Sequence, residues 1–178
     1  MERVETAQAD AKQRIVLCDL NWTRLVQIRL AIAQFFDSPA SQARFDEIES
    51  VEIDFAPEYR STALLLSGWL AAQLHWSIEE KTKGDALTFR NEAGKTIKVS
   101  LREKAGEPIG RCTIRCGALE FKVAHKENAD LLDVEVGERS CRMPAGPNDQ
   151  VGLMKEELMR GGPHRVYLRA MNCVRDLL

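Results

Sequence analysis

The residue types that usually carry chemistry are few and scattered in this chain. Histidine occurs at His75, His125 and His164. The three fall on different predicted elements, so no pair has metal-binding spacing and no acid–base partner is implied. Each reads as a surface or helix-end residue. The five cysteines are Cys18, Cys112, Cys116, Cys141 and Cys173, odd in number and with no C-x-x-C. On one strand, Cys112 and Cys116 would stand about 13 Å apart at ~3.3 Å per residue, beyond the ~7 Å Cα separation that a disulfide spans. They face the same way as Ile114 and are expected to be small core residues. Cys141 differs, because Arg139 and Arg142 flank it and neighbouring guanidinium groups favour a thiolate. It is the candidate redox-responsive thiol, weighed against an inert cysteine near a strand end.

Arg29 falls in the middle of an apolar helix face, near Trp22, Leu25 and Phe36. There it must find a carboxylate or carbonyl, or reach water along its stem. The alternatives are a core-edge salt bridge and an arginine held for a partner protein or a phosphate. Trp22, Trp69 and Trp76 all lie on predicted helices and read first as core. The acidic pairs Glu79-Glu80 and Glu156-Glu157 read as solvated helix faces. No G-x-G-x-x-G, phosphate loop or G-x-S-x-G occurs. These residues imply no metal, no cofactor and no enzyme.

The elements that must position these residues follow from periodicity. The chain has 178 residues, 44% hydrophobic and 29% charged, with a formal net charge of −2. That charge gives no global basic field for nucleic acid. The opening residues carry both charge signs without an apolar core, unlike a secretory signal. The most apolar stretch, Ala63 to Leu74, is too short to span a bilayer. A cytoplasmic protein with reduced thiols is expected.

Residues 1 to 13 read as a mobile leader, and residues 14 to 178 as a single α+β domain. Arg14 to Cys18 suits a short extended segment. Asp19 or Asn21 can cap a helix reaching about Phe36, with Trp22, Leu25, Ile32, Ala33 and Phe36 on one face. A short helix follows Ser38-Pro39. Val51, Ile53 and Phe55 alternate with Glu52 and Asp54, a half-buried strand. Pro57 opens a helix to about Trp76 whose centre is apolar nearly all round. Gly68 is placed there to let another backbone come close. From Asp85 to Met143 the pattern alternates every two residues, with a turn at Asn91 to Gly94. Short connections between these runs predict antiparallel neighbours: a meander of about five to six strands, packed against helices from both chain ends. Asn148 or Asp149 caps a helix to about Arg160, and Gly161-Gly162-Pro163 stops it. A last helix spans about His164 to Leu177, with Val166, Ala170, Cys173, Val174 and Leu177 as its apolar stripe.

Several segments resemble one family, and they do so in order along the chain. Asp19-Leu-Asn-Trp-Thr-Arg-Leu25, followed by Arg29 and Phe36-Asp-Ser-Pro39, is similar to the opening of the carboxy-terminal domain of glucose-6-phosphate dehydrogenase assembly proteins. Ser50-Val-Glu-Ile53 resembles its next strand, and Ala63 to Ala71 with Trp76 its apolar helix. Leu153-Met-Lys-Glu-Glu-Leu158, then His164 and Val166-Tyr167, resembles its ending. The resemblance implies a non-catalytic accessory role in assembling or activating the oligomeric dehydrogenase of the oxidative pentose phosphate pathway. Longer members carry a further amino-terminal domain, whereas about 18 residues precede the first matching motif here. Trp22, Arg24, Arg165 and Tyr167 are the expected partner-binding residues, since interfaces favour aromatics and arginine. The alternative is a sugar-phosphate or polyanion binding module using Arg29, Arg111 and Arg115, which requires those arginines to converge.

Overall fold

The computed structural model describes residues 19–37, 39–80, 85–126, 129–160 and 165–177. Helix α1 (Leu20–Arg24) is capped by Asp19, whose Oδ1 accepts the Asn21 backbone N–H at 2.9 Å. The chain breaks at Leu25 and resumes as α2 (Val26–Phe36) and the short α3 (Pro39–Gln42). The break changes the phase of the apolar stripe: Ala31 is buried and Ala33 is exposed, the reverse of the expectation for one continuous helix.

Strand β1 (Ile48–Phe55) leads into α4 (Arg60–Gln73), which is buried from Thr62 to Ala71. His75, at φ 54, ends that helix earlier than the sequence suggested, while the Trp76 backbone N–H donates to Ala71 O at 2.9 Å. Six strands follow in series: β3 (Ala86–Arg90), β4 (Thr96–Glu103), β5 (Ile109–Cys116), β6 (Leu119–His125), β7 (Leu131–Val136) and β8 (Arg139–Pro144), with β2 (Ser77–Glu80) ahead of them. Helices α5 (Gln150–Arg160) and α6 (Arg165–Val174) complete the chain.

The expected five- to six-stranded antiparallel meander is wrong. The structure has one eight-stranded mixed sheet in the order β2-β3-β4-β1-β5-β6-β7-β8. β1 pairs parallel with β4 (Val51 opposite Val99) and antiparallel with β5 (Val51 opposite Ile114). The expectation failed at a single connection. Residues 104–108 are few, yet they step over two strand spacings, about 9.6 Å. Five extended residues reach up to ~17 Å, so a short link does not force β4 and β5 to be neighbours. The link is tied to the end of the strand it crosses: Lys104 N–H donates to Phe55 O at 2.8 Å, and Ala56 N–H to Pro108 O at 3.3 Å. β2 escaped notice because Ser77–Glu80 offers one apolar residue and no alternation.

Helices cover one face of the sheet, with α4 on β1 and β4 and α2 on β6. Val51, Ile53, Val99, Leu101, Cys112, Ile114, Phe121 and Val123 are buried beneath them. The other face is charged and cross-linked, with Arg115 donating to Glu52 at 2.8 Å and to Glu120 at 3.0 Å, and Lys122 to Glu135 at 2.9 Å. Gly68 does allow a close approach. A Cβ built there would lie 2.3 Å from Ala170 O, so α4 and α6 touch backbone to backbone.

Candidate protein-docking face

Helix α5 is amphipathic in an unusual sense: both its inner and its outer faces carry large apolar residues. Asp149 caps it, with Oδ1 accepting the Gly152 backbone N–H at 2.9 Å. Gly152 is required at that turn, because a Cβ would meet Pro147 Cβ at 2.6 Å. The inner face sets Leu153 and Glu157 against α1. Glu157 is buried and accepts the Thr23 hydroxyl at 2.6 Å, so the expected solvated Glu156-Glu157 face holds for Glu156 alone. The outer face exposes Val151 (77%), Met154 (50%), Leu158 (78%) and Met159 (78%). Large apolar side chains clustered this openly on one helix mark a surface shaped for a partner. Val151, Met154 and Leu158 follow i, i+3, i+7 spacing, a signal legible in the sequence and overlooked beside the acidic pairs. Among the described residues, Lys155 on this face and Arg165 and Arg169 on α6 have no ion-pair partner.

The four residues expected to bind a partner are placed differently from one another. Trp22 and Tyr167 are buried against each other, ring centroids 5.5 Å apart, and the Tyr167 hydroxyl donates to Asp19 Oδ2 at 3.0 Å. Burial, the Asp19 charge and that bond all raise the Tyr167 pKa. The buried stripe of α6 is Tyr167, Ala170, Met171 and Val174, and Val166, expected within it, is exposed. Arg24 is half-buried: its Nε donates to Asn148 Oδ1 at 2.7 Å, and its guanidinium lies 5.0 Å from the Tyr59 ring centre. Arg165 is exposed.

Arg29 resolves toward structure. Its guanidinium stacks 3.5 Å from the Trp22 ring centre, and Nη2 donates to Trp22 O at 3.2 Å. Burial, and then the nearby Arg160 charge, lower its pKa to about 10 against an opposing effect of Glu157. Arg111 and Arg115 lie on the charged face of the sheet, whereas Arg29 lies among the helices, so the three do not converge.

Cys112 and Cys116 are buried core thiols, as expected, and Cys141 is exposed on the outermost strand. Burial pushes the Cys112 thiol up to about 12 and the Cys116 thiol up to about 11. His75 is exposed, and His125 is half-buried at the end of β6. Cys18, His164, the leader at residues 1 to 13 and the glycine pair at 161–162 lie outside the described residues. Among the described residues, no group of three or more His, Cys, Asp or Glu is placed to hold a metal, and no helix is long and apolar enough to cross a membrane.

Residues 15–171 match the family described as the C-terminal domain of the glucose-6-phosphate dehydrogenase subunit. A protein of Synechocystis sp. described as an OxPP cycle protein, OpcA, is 34% identical over 61 residues, which cover 34% of this chain and 13% of that protein. Among solved structures, KijD10, a 3-ketoreductase from Actinomadura kijaniata in complex with NADP, superposes with a TM-score of 0.54 at 11% identity over 98% of this chain. A point mutant of the same enzyme gives 0.55 at 10% identity. This chain spans 63% of the ketoreductase, and the likeness is one of fold alone.

Proposed function

The chain belongs to the family of the glucose-6-phosphate dehydrogenase C-terminal-domain proteins, and on that footing we propose that it is a non-catalytic, cytoplasmic accessory protein that docks on glucose-6-phosphate dehydrogenase and favours its competent state. An association with that enzyme in the oxidative pentose phosphate pathway comes with the family. The docking mode is our reading of the helical layer. The outer face of α5 supports it: four large apolar side chains are half or more exposed in one stripe. Interfaces are built around such apolar centres with arginine at their margins, and Arg165 and Arg169 stand ready on the neighbouring helix. An accessory protein activates by binding the active arrangement of its partner more tightly than the inactive one, so its saturation should appear in the rate.

The test is the rate of the cognate dehydrogenase across substrate concentrations, with and without the chain, alongside co-elution. A saturable rise in rate or fall in KM is expected. The pair Met154→Glu and Leu158→Glu should abolish both effects while leaving the melting temperature unchanged, because both side chains already face water. Activation that survives the pair would remove α5 from the interface. Absence of activation and of co-elution with the unaltered chain would overturn the accessory reading.

A further inference from the structure

The connection that steps over the end of β1 leaves a cleft of about 660 Å³ on the charged side of the sheet. Its walls come from three separate places: Lys104 to Glu107 in the connection, Arg111 on β5, and Lys122 and His125 on β6. Asp54, nearly buried at the end of β1, organises one wall. Its Oδ1 accepts from Arg102 at 2.9 Å, and its Oδ2 takes both Lys104 at 3.0 Å and Arg111 at 2.7 Å. Arg102 is also neutralised by Glu52 at 2.6 Å. Lys104 and Arg111 therefore share a single carboxylate oxygen. An ammonium has three donors and a guanidinium five, so both keep N–H groups for another acceptor. Asp54 fixes the two cations in place, which spares a ligand the cost of ordering them. Lys122, bonded to Glu135 at 2.9 Å, adds a third cation.

The far wall is of another kind. His125 Nδ1 is buried with no hydrogen-bond partner, and stands 4.0 Å from Glu107 Oε1. A buried ring nitrogen without a partner is costly, and a bound hydroxyl between it and the Glu107 carboxylate would satisfy both. Glu107 is itself held, accepting from Asn148 at 2.9 Å. Gly106, at φ +132 with nothing within 4 Å of a Cβ position, keeps the rim backbone in a conformation that L side chains rarely adopt. Phe55, Ala105 and Ala124 are the apolar side chains of the lining, too few for a hydrophobic ligand.

We infer that this cleft binds a small phosphorylated polyol. Its phosphate would sit on Lys104, Arg111 and Lys122, and a hydroxyl would sit between Glu107 and His125. The arginine set read from the sequence contributes Arg111 alone. The site is on the opposite side of the sheet from α5, so its occupancy can be measured without the dehydrogenase.

The experiment is calorimetric titration of the full chain with three probes: inorganic phosphate, a hexose 6-phosphate and the free hexose. Saturable one-to-one binding of the hexose phosphate is expected, about tenfold tighter than phosphate, with no heat from the free hexose. Lys104→Ala and Lys122→Ala should each weaken it about tenfold, since a charge-assisted bond is lost and both side chains are solvent-accessible. Lys98→Ala, on the same face of β4 but outside the cleft, should leave it unchanged. The His125 imidazole proton resonances should shift on addition of the hexose phosphate and not of phosphate. Equal affinity for phosphate and the hexose phosphate would overturn the polyol assignment. No saturable binding, or a loss in Lys98→Ala equal to that in the cleft variants, would overturn the site.

Discussion

Replacing Gly68 by alanine sets two effects of opposite sign against each other. Alanine in a helix interior is favoured over glycine by about 1 kcal/mol. Against that, its Cβ would lie 2.3 Å from Ala170 O and 3.0 Å from Val174 Cγ2, where ordinary contact begins at 3.4 Å. The obstruction is backbone and cannot rotate away, so α6 must retreat by about 1 Å. A gap of that size forfeits a quarter to a half of each dispersion contact across it, and overpacked cores lose typically 1–3 kcal/mol. Taking the upper end leaves a net loss of about 2 kcal/mol. At 2–4 °C per kcal/mol for a chain of this size, the melting temperature should fall by ~4–8 °C. Urea unfolding of Gly68→Ala should show a lower midpoint at an unchanged slope. Ser67→Ala is the control. Ser67 is equally buried in α4, but its hydroxyl bonds back to Ala63 O at 2.9 Å, a local contact whose loss should shift stability by less than about 1 kcal/mol. A midpoint for Gly68→Ala equal to or above that of the parent would refute the close-approach argument. Because α6 carries Arg165 and Arg169, the same substitution should also weaken partner binding.

Acid should loosen the charged face of the sheet. For Asp54, burial alone would raise the pKa from 3.8, but bonds from Lys104 and Arg102 and the Arg111 charge more than offset it, and the folded value is depressed. The Glu52 pKa falls below 4.5, first through the Arg115 bond. Depressed carboxylates stabilise above their unfolded pKa, so this stability is present at neutral pH and lost as pH drops below about 4. Asp54→Asn should cost about 2 kcal/mol at pH 7, less than a fully buried pair because its cations are partly solvated, and should flatten the urea midpoint between pH 6 and pH 3. Thiol labelling at pH 8 followed by peptide mass mapping should modify Cys141 in the native chain. Cys112, about 12 in pKa, and Cys116, about 11, should label only after unfolding; fast native labelling of either would contradict their burial. Arg24→Ala should lower the melting temperature by breaking the Asn148 bond and leaving the Tyr59 ring, an effect of about 1 kcal/mol. Arg165→Ala should leave folding within about 0.5 kcal/mol; comparable losses for the two would contradict the difference in exposure.

Much of the fold was legible where one physical rule acts alone. The strand β4 declared itself through Ile97, Val99 and Leu101, and α4 through its all-round apolar centre, with Gly68 marked for close contact. Local rules failed where a distant segment decided the outcome. Nothing near residues 104–108 records that β1 fills the gap between β4 and β5. Trp22 and Tyr167 looked like interface aromatics because type alone does not reveal that they pack on one another across 145 residues of sequence. At the docking face, the sequence held the apolar spacing of α5, but Leu153 and Val151 belong to different faces, and which face turns inward is set by α1. The cleft was not legible at all: Lys104, Arg111, Lys122 and His125 meet through strand register, and single-sequence periodicity does not encode register between strands.

The central position of β1 has a consequence for how the chain is made. Ile48–Phe55 is synthesised early, yet its two neighbours end at Glu103 and Cys116. At ~5–20 residues per second, a ribosome takes several seconds to deliver them after Phe55. During that interval Val51, Ile53 and Phe55 have no flanking strands, and α4 is the one long apolar segment already made that can shield them. The nascent helix thus acts as an internal holdase for the middle strand of the sheet. Slowing translation between residues 56 and 100 should expose that strand to aggregation, whereas slowing it after residue 116 should not.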